Sequence, residues 1–168
     1  RYIDELSMQN GFENNIQAYS GSFVNSINNG INSGVSIFNY RGYLNMSGWD
    51  NTDTDNLSNG WKLPFVTILT CGTGGFDSNG GDCRSEAFLK AGSFAVPKGG
   101  IAAVGTATSS THTGFNNCVN GGIYHGIFSD KLFYAGAALE RGRLNLNATY
   151  PTGSDSYVQN FSHWNNLM

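Results

Sequence analysis

The chain has 168 residues, enough for one ordinary domain to bury a core without staples, and 39% of them are hydrophobic. Only 12% are charged, where roughly 25% is usual, and 23 Gly and 21 Asn fill the gap. Lys and Arg number 9 against 12 Asp and Glu, a formal net charge of −3 with no basic run, which argues against nucleic acid as a partner.

Apolar residues at Phe12, Ile16, Tyr19, Phe23, Ile27 and Ile31 recur every three or four positions and predict a helix over 12–31, ended by Gly34. Val35 to Phe38 is β-branched and aromatic and predicts a short strand. A polar loop from Tyr43 to Asp50 leads to a short predicted helix over 52–59, with Gly60 suited to a left-handed cap. Asp53, Asp55 and Asn56 read there as helix-start chemistry. Pro64 precedes Phe65 to Thr70, a continuous apolar run of the kind covered on both faces of a sheet. The stretch from Gly72 to Asp82 is too rich in glycine for regular structure, and Asp82 is predicted to cap a helix from Cys83 to about Ala91. Ile101 to Val104 predicts a third strand, followed by a Ser/Thr loop over 106–113. Helices are predicted from Phe115 to Phe128 and, capped by Asp130, from Lys131 to about Leu144.

This alternation predicts an α/β fold. Strands near 35–39, 65–70 and 101–105 run parallel, joined by right-handed crossovers, with helices on both faces. No internal repeat or separate linker interrupts it. The longest apolar runs are strand-sized, far short of the ~18 residues of a membrane span. Arg1 does not open a charged and then apolar leader, so the sequence reads as a piece of a longer protein. Few lysines and many Asn, Gly, Ser, Thr and aromatic residues fit a secreted or cell-surface bacterial protein.

In open α/β sheets ligands bind beyond the carboxyl ends of the strands, so the loops after Phe38, Thr70 and Gly105 are where chemistry is expected. The second opens with Cys71 directly at a strand end, followed by glycines that leave its sulfur and nearby amides accessible. Read alone, such a cysteine is a small buried hydrophobe. His112 lies in the third loop, within reach of the same crevice, while His125 reads as mid-helix and His163 falls near the C-terminus. Ser47 and Ser85 lack the G-x-S-x-G elbow of a serine hydrolase. Cys71, Cys83 and Cys118 leave at least one thiol unpaired, and no C-x-x-C pair points to zinc. Cys83 and Cys118 read as structural, a disulfide between them being one option. Asp77, Asn79 and Asp82 are weak candidates for calcium, because the bidentate Glu that completes such loops is missing. No other cofactor is expected.

Longer motifs carry more. They are Asn39-Tyr40-Arg41-Gly42-Tyr43, Ser47-Gly48-Trp49, the Leu63 to Cys71 run, Phe76-Asp77, the Gly81 to Gly92 segment and the Pro97 to Gly105 segment. In this order and spacing, over roughly residues 12 to 168, the chain resembles peptidase family C25, the gingipain-like cysteine peptidases of the caspase-like clan. The resemblance implies a caspase-like αβα sandwich with a mainly parallel sheet, here as a partial domain lacking elements upstream of Phe12. It also implies a Cys/His dyad: the thiolate attacks a peptide carbonyl, the imidazole handles the proton and backbone amides hold the oxyanion.

Carried over residue by residue, Cys71 takes the nucleophile position, Gly42 precedes the histidine position, and Tyr43 stands at that position. Leu44 stands where the family has a glycine of the oxyanion pocket. A tyrosine ordinarily ionises near pH ~10 and imidazole near ~6.5, so the dyad as written lacks its base. His112 is the candidate substitute. The implied partners are a polypeptide substrate or binding partner and the upstream half of the same peptidase domain. The closing stretch, Tyr157 to Met168, resembles a family segment that continues further. Two functions follow: a cysteine endopeptidase domain with impaired chemistry, or a non-catalytic binding or structural module of a multidomain secreted protein.

Overall fold

In the computed structural model, residues 1–21, 23–77, 80–151 and 156–168 are described. Along the chain come α1 (Tyr2–Gln9), α2 (Phe23–Ser33), β1 (Ile37–Tyr40), α3 (Asn51–Asp55), β2 (Phe65–Ile68) and α4 (Arg84–Lys90). They are followed by β3 (Ala102–Thr106), α5 (Thr113–Phe128), α6 (Ala135–Thr149), α7 (Ser156–His163) and β4 (Asn165–Leu167). The sheet order is β1-β2-β3-β4, with Tyr40 opposite Ile68 and Ile68 opposite Gly105. β1, β2 and β3 are parallel, as their apolar runs and helical crossovers predict. β4 is antiparallel to β3 and has no strand signature of its own; Ala103 and Met168 exchange backbone hydrogen bonds at 2.8 Å beside it.

The continuous apolar runs exist because both sheet faces are covered. On one face Val66, Ile68 and Ala103 pack with Ile27 and Ile31 of α2, Met46, Trp49 and Leu57, and Phe88 of α4. On the other, Leu69 and Val104 pack under Phe115, Val119, Ile123 and Tyr124 of α5, Leu139 and Leu146 of α6, and Phe161 of α7. The result is the αβα sandwich expected for the class. Thr67 faces the second layer, where its hydroxyl meets Tyr124 Oη at 2.6 Å and donates to Asn39 Oδ1 at 2.9 Å.

Several boundaries differ from the sequence expectation. The predicted 12–31 helix is helical only from Phe23, because Gly21 at φ +73° breaks the chain direction first. Ile16 and Tyr19 are exposed, and Phe12 packs edge-on against Phe128 at 5.4 Å. α1, α7 and β4 have no counterpart among the predicted elements. α3 is capped by Asp50 through a capping box with Asp53, and α4 starts from Cys83 with Asp82 outside it. α6 begins after Tyr134, since Lys131 sits at φ 59°; Asp130 instead meets Arg141 at 2.7 Å and His125 at 3.5 Å.

The caps make an acid prediction. Thr52 N–H donates to Asp50 at 2.8 Å, and Cys83 N–H donates to Glu86 at 3.1 Å. These backbone bonds hold both carboxyls below the usual carboxylate range. A carboxyl lowered on folding contributes stability that is present above its unfolded value, near ~4, and is lost as pH falls through its folded value. The urea midpoint should therefore be level from about pH 7 to 5 and drop below about pH 4. Asn caps about as well as Asp but does not titrate there, so Asp50→Asn should make that drop shallower. An equally steep drop in the variant would refute the assignment.

Candidate functional site

Cys71 lies three residues past Ile68, at the carboxyl end of β2, and is half-buried. The loops following β1 and β3 close on it from either side. From the first, Asn45 takes the left-handed region at φ 55° and donates its N–H to the Cys71 carbonyl at 3.1 Å. From the second, Thr111 Oγ1 lies 3.0 Å from Cys71 Sγ. Gly72 and Gly74 donate backbone N–H groups to Thr108 O at 2.8 Å and Thr106 O at 3.1 Å.

Thr73 is buried; its hydroxyl donates to Thr70 O at 3.0 Å and to Ile68 O, and accepts from Thr106 N at 3.2 Å. The loop lies directly on the β3 backbone. A Cβ on Gly74 would sit 2.6 Å from the Gly105 carbonyl carbon, and one on Gly105 would sit 2.4 Å from Ser85 Oγ. Only glycine permits this approach at both positions.

The expected residues are brought together unequally. The loops bearing Gly42, Tyr43 and Cys71 are neighbours, since β1 pairs with β2. Yet Tyr43 is 76% exposed and Leu44 47% exposed. Gly42 is exposed, with the Tyr40 phenol folded back so that a Cβ there would lie 2.2 Å from Tyr40 Oη. His112 directly follows Thr111, occupies the N-cap position of α5 and is exposed; its ring packs on Phe115 with centroids 4.5 Å apart. Among the described residues no hydrogen bond joins Tyr43 or His112 to the sulfur, whose partner is the Thr111 hydroxyl. A hydroxyl can orient a thiol but is no base near neutrality.

Arg41 and Thr111 are the residues the sequence reading passed over. Arg41 Nε and Nη2 donate to Asn117 Oδ1 at 3.1 and 2.9 Å, and Nη2 reaches Thr113 O at 3.5 Å. Burial lowers the pKa of this guanidinium, and the charge available on Cys71, then on Tyr40, opposes that. The one signal in the sequence was an arginine beside the strand-end glycine.

The other candidates lie elsewhere. His125 Nδ1 meets Tyr2 Oη at 2.8 Å, and His163 ends α7. Asp77 is exposed, Asp82 is paired with Lys90 at 2.6 Å, and Asn79 lies outside the described residues. Among the described residues no three His, Cys, Asp or Glu gather to hold a metal. Cys71, Cys83 and Cys118 are all free thiols, which corrects the disulfide option. Cys83 is buried at the start of α4, and that burial pushes its thiol up. Ser47 is exposed and Ser85 is buried beneath Gly105. No described helix is long and apolar enough to cross a membrane.

The chain matches peptidase family C25 over residues 2–168. It is similar in structure to the crystal structure of the Arg-specific cysteine proteinase gingipain R (RgpB), with a TM-score of 0.85 at 20% identity. That match covers 98% of this chain and 39% of the other. It is also similar to the complex of Porphyromonas gingivalis RgpB pro- and mature domains, with a TM-score of 0.84, 20% identity, 98% of this chain and 40% of that one. The chain thus shares the gingipain fold while spanning well under half the length of either structure. No curated protein gives a significant match.

Proposed function

This chain belongs to peptidase family C25, and from that premise we propose that it is the gingipain-like peptidase portion of a secreted or cell-surface bacterial protein, in which Cys71 keeps the nucleophile position and peptide hydrolysis is impaired. The observation that carries this reading is the surroundings of the sulfur. Cys71 Sγ is met by the Thr111 hydroxyl at 3.0 Å, and the residue at the family's histidine position, Tyr43, is 76% exposed. In a Cys/His dyad the imidazole takes the thiol proton and later protonates the leaving amine. The Thr111 hydroxyl is no base near neutral pH, and among the described residues no hydrogen bond joins Tyr43 to the sulfur.

The substrate or binding partner is a polypeptide. A second partner is the remainder of the peptidase, because the chain spans 39% of the structure it matches. Secretion is supported by composition: Lys and Arg total only 9 in a chain of 23 Gly and 21 Asn.

The test is hydrolysis of fluorogenic peptides containing Arg or Lys, by this chain and by Cys71→Ala. Equal background rates support the reading and favour a binding or structural role for the domain. Cleavage that vanishes in Cys71→Ala overturns it, and His112→Ala then shows whether His112 is the substitute base.

A further inference from the structure

We propose that Arg41 is a positioning residue for Cys71, its guanidinium supplying beside the sulfur the positive charge that an imidazolium supplies in a dyad. The inference rests on Cys71 being the retained nucleophile. β1 and β2 are adjacent, with Tyr40 opposite Ile68, so Arg41 and Cys71 leave neighbouring strands at the same end of the sheet. Both side chains then reach the entry of α5. Cys71 Sγ meets Thr111, and Arg41 Nη2 reaches Thr113 O at 3.5 Å and Asn117 Oδ1 at 2.9 Å.

The fork of Nε and Nη2 on one amide oxygen fixes the guanidinium, yet Asn117 is neutral. Among the ion pairs of the described residues Arg41 takes no part, and its Nη1 is buried without a hydrogen-bond partner. A partly desolvated cation without a counter-charge is unfavourable. The Cys71 sulfur leaves the paired strand at the same end of the sheet, and negative charge on it opposes the effect of burial on Arg41. The N-terminus of the 16-residue α5 adds a field of the same sign.

The other titratable groups on the surrounding elements are Tyr40 at the end of β1, Tyr43 after it, Asp77 on the Cys71 loop, His112 at the α5 entry and Tyr150 at the end of α6, whose ring packs on Phe115. Tyr157 of α7 also reaches Ser110 O at 3.5 Å. Of the whole set, only Arg41 carries a full positive charge throughout the neutral range. Because a guanidinium never gives up its proton in this range, it favours the thiolate without acting as a base. Arg41 thus separates two properties that a histidine couples. Cys71 stays a reactive thiol although turnover of peptides is lost.

The test is the rate of Cys71 alkylation by iodoacetamide, in which the thiolate forms an S–C bond and expels iodide. It is followed by peptide mapping from about pH 6 to 10 for the unsubstituted chain, Arg41→Lys and Arg41→Gln. Arg41→Gln should slow alkylation roughly tenfold near pH 7, with the rates converging near pH ~10, where any thiol is ionised. Arg41→Lys should stay within about threefold of the unsubstituted rate, since it keeps the charge and loses the fork. The reagent is neutral, so raising salt from about 0.05 to 1 M should itself slow Cys71 in the unsubstituted chain, a measurement that needs no variant to fold. A salt-independent rate, or an Arg41→Gln effect equal at every pH, overturns the proposal. Peptide hydrolysis is read separately, so Cys71-dependent cleavage would sink the functional reading and leave the Arg41 result standing.

Discussion

Peptides cleaved after Arg or Lys are expected to be hydrolysed no faster by this chain than by its Cys71→Ala variant. General-base assistance is worth about 10² to 10⁴ in rate, and Tyr43, at 76% exposure, offers it neither by chemistry nor by contact. Leu44 compounds the loss. The resemblance places a glycine there, and a side chain restricts the backbone conformations that aim an amide at the oxyanion. Removing one oxyanion donor typically costs about 10² to 10³ in kcat. The double change Tyr43→His with Leu44→Gly, made in a chain joined to the upstream half of the domain, should raise Cys71-dependent turnover at least about tenfold. Steady-state fluorescence checks both statements. If the double variant matches the unsubstituted chain, the assignment of Tyr43 to the histidine position is wrong.

The largest stability effect is expected at Trp49. It is 1% exposed, stacks on Phe88 with centroids 5.2 Å apart and planes at 15°, and donates its indole N–H to Asn28 Oδ1 at 2.8 Å. Trp49→Ala deletes the ring between α2 and α4 and leaves a cavity, a loss of about 3 to 5 kcal/mol in urea unfolding. The consequence reaches the site. Met46 and Trp49 are the buried anchors of the loop that carries Arg41, Tyr43 and Asn45, so the variant should also weaken the Asn45 to Cys71 tie. Trp61 is the control: it is 65% exposed and meets Phe94 edge-on at 5.5 Å. Trp61→Ala should cost under about 1 kcal/mol. Equal losses at the two tryptophans would contradict the packing described.

The strands were readable because Phe65 to Leu69, broken only by Thr67, and Ile101 to Val104 are short apolar runs of the kind found where both faces of a sheet are covered. The same pattern put Cys71 at a strand end. Spacing alone misled over 12–21, where Ile16 and Tyr19 keep a helical interval but are exposed. Asn165-Asn166-Leu167 carries no strand signal, since its pairing is dictated by the free edge of β3. Arg41 stands in its motif with no signal of a role of its own, since a charged loop residue normally faces solvent. Its partner Asn117 is 76 residues away, and only the placement of α5 joins the two. Thr111 was equally silent, one of several polar residues in a Ser/Thr loop. The readings of Tyr43 and Leu44 rest on the resemblance to the family pattern, not on their own chemistry.

The ties beneath Cys71 have a kinetic consequence. Thr73 and Thr106 are 33 residues apart, Cys71 and Thr111 are 40 apart, and Asn166 donates to Gly74 O across 92. Closing such separations costs chain entropy before any contact rewards it, so long-range pairs form slowly. The β1 and β2 strands can pair while the seat of the sulfur is still unmade. Cys71 is therefore the thiol that becomes protected late in refolding, and a nascent chain halted before Thr106 leaves it open to oxidation.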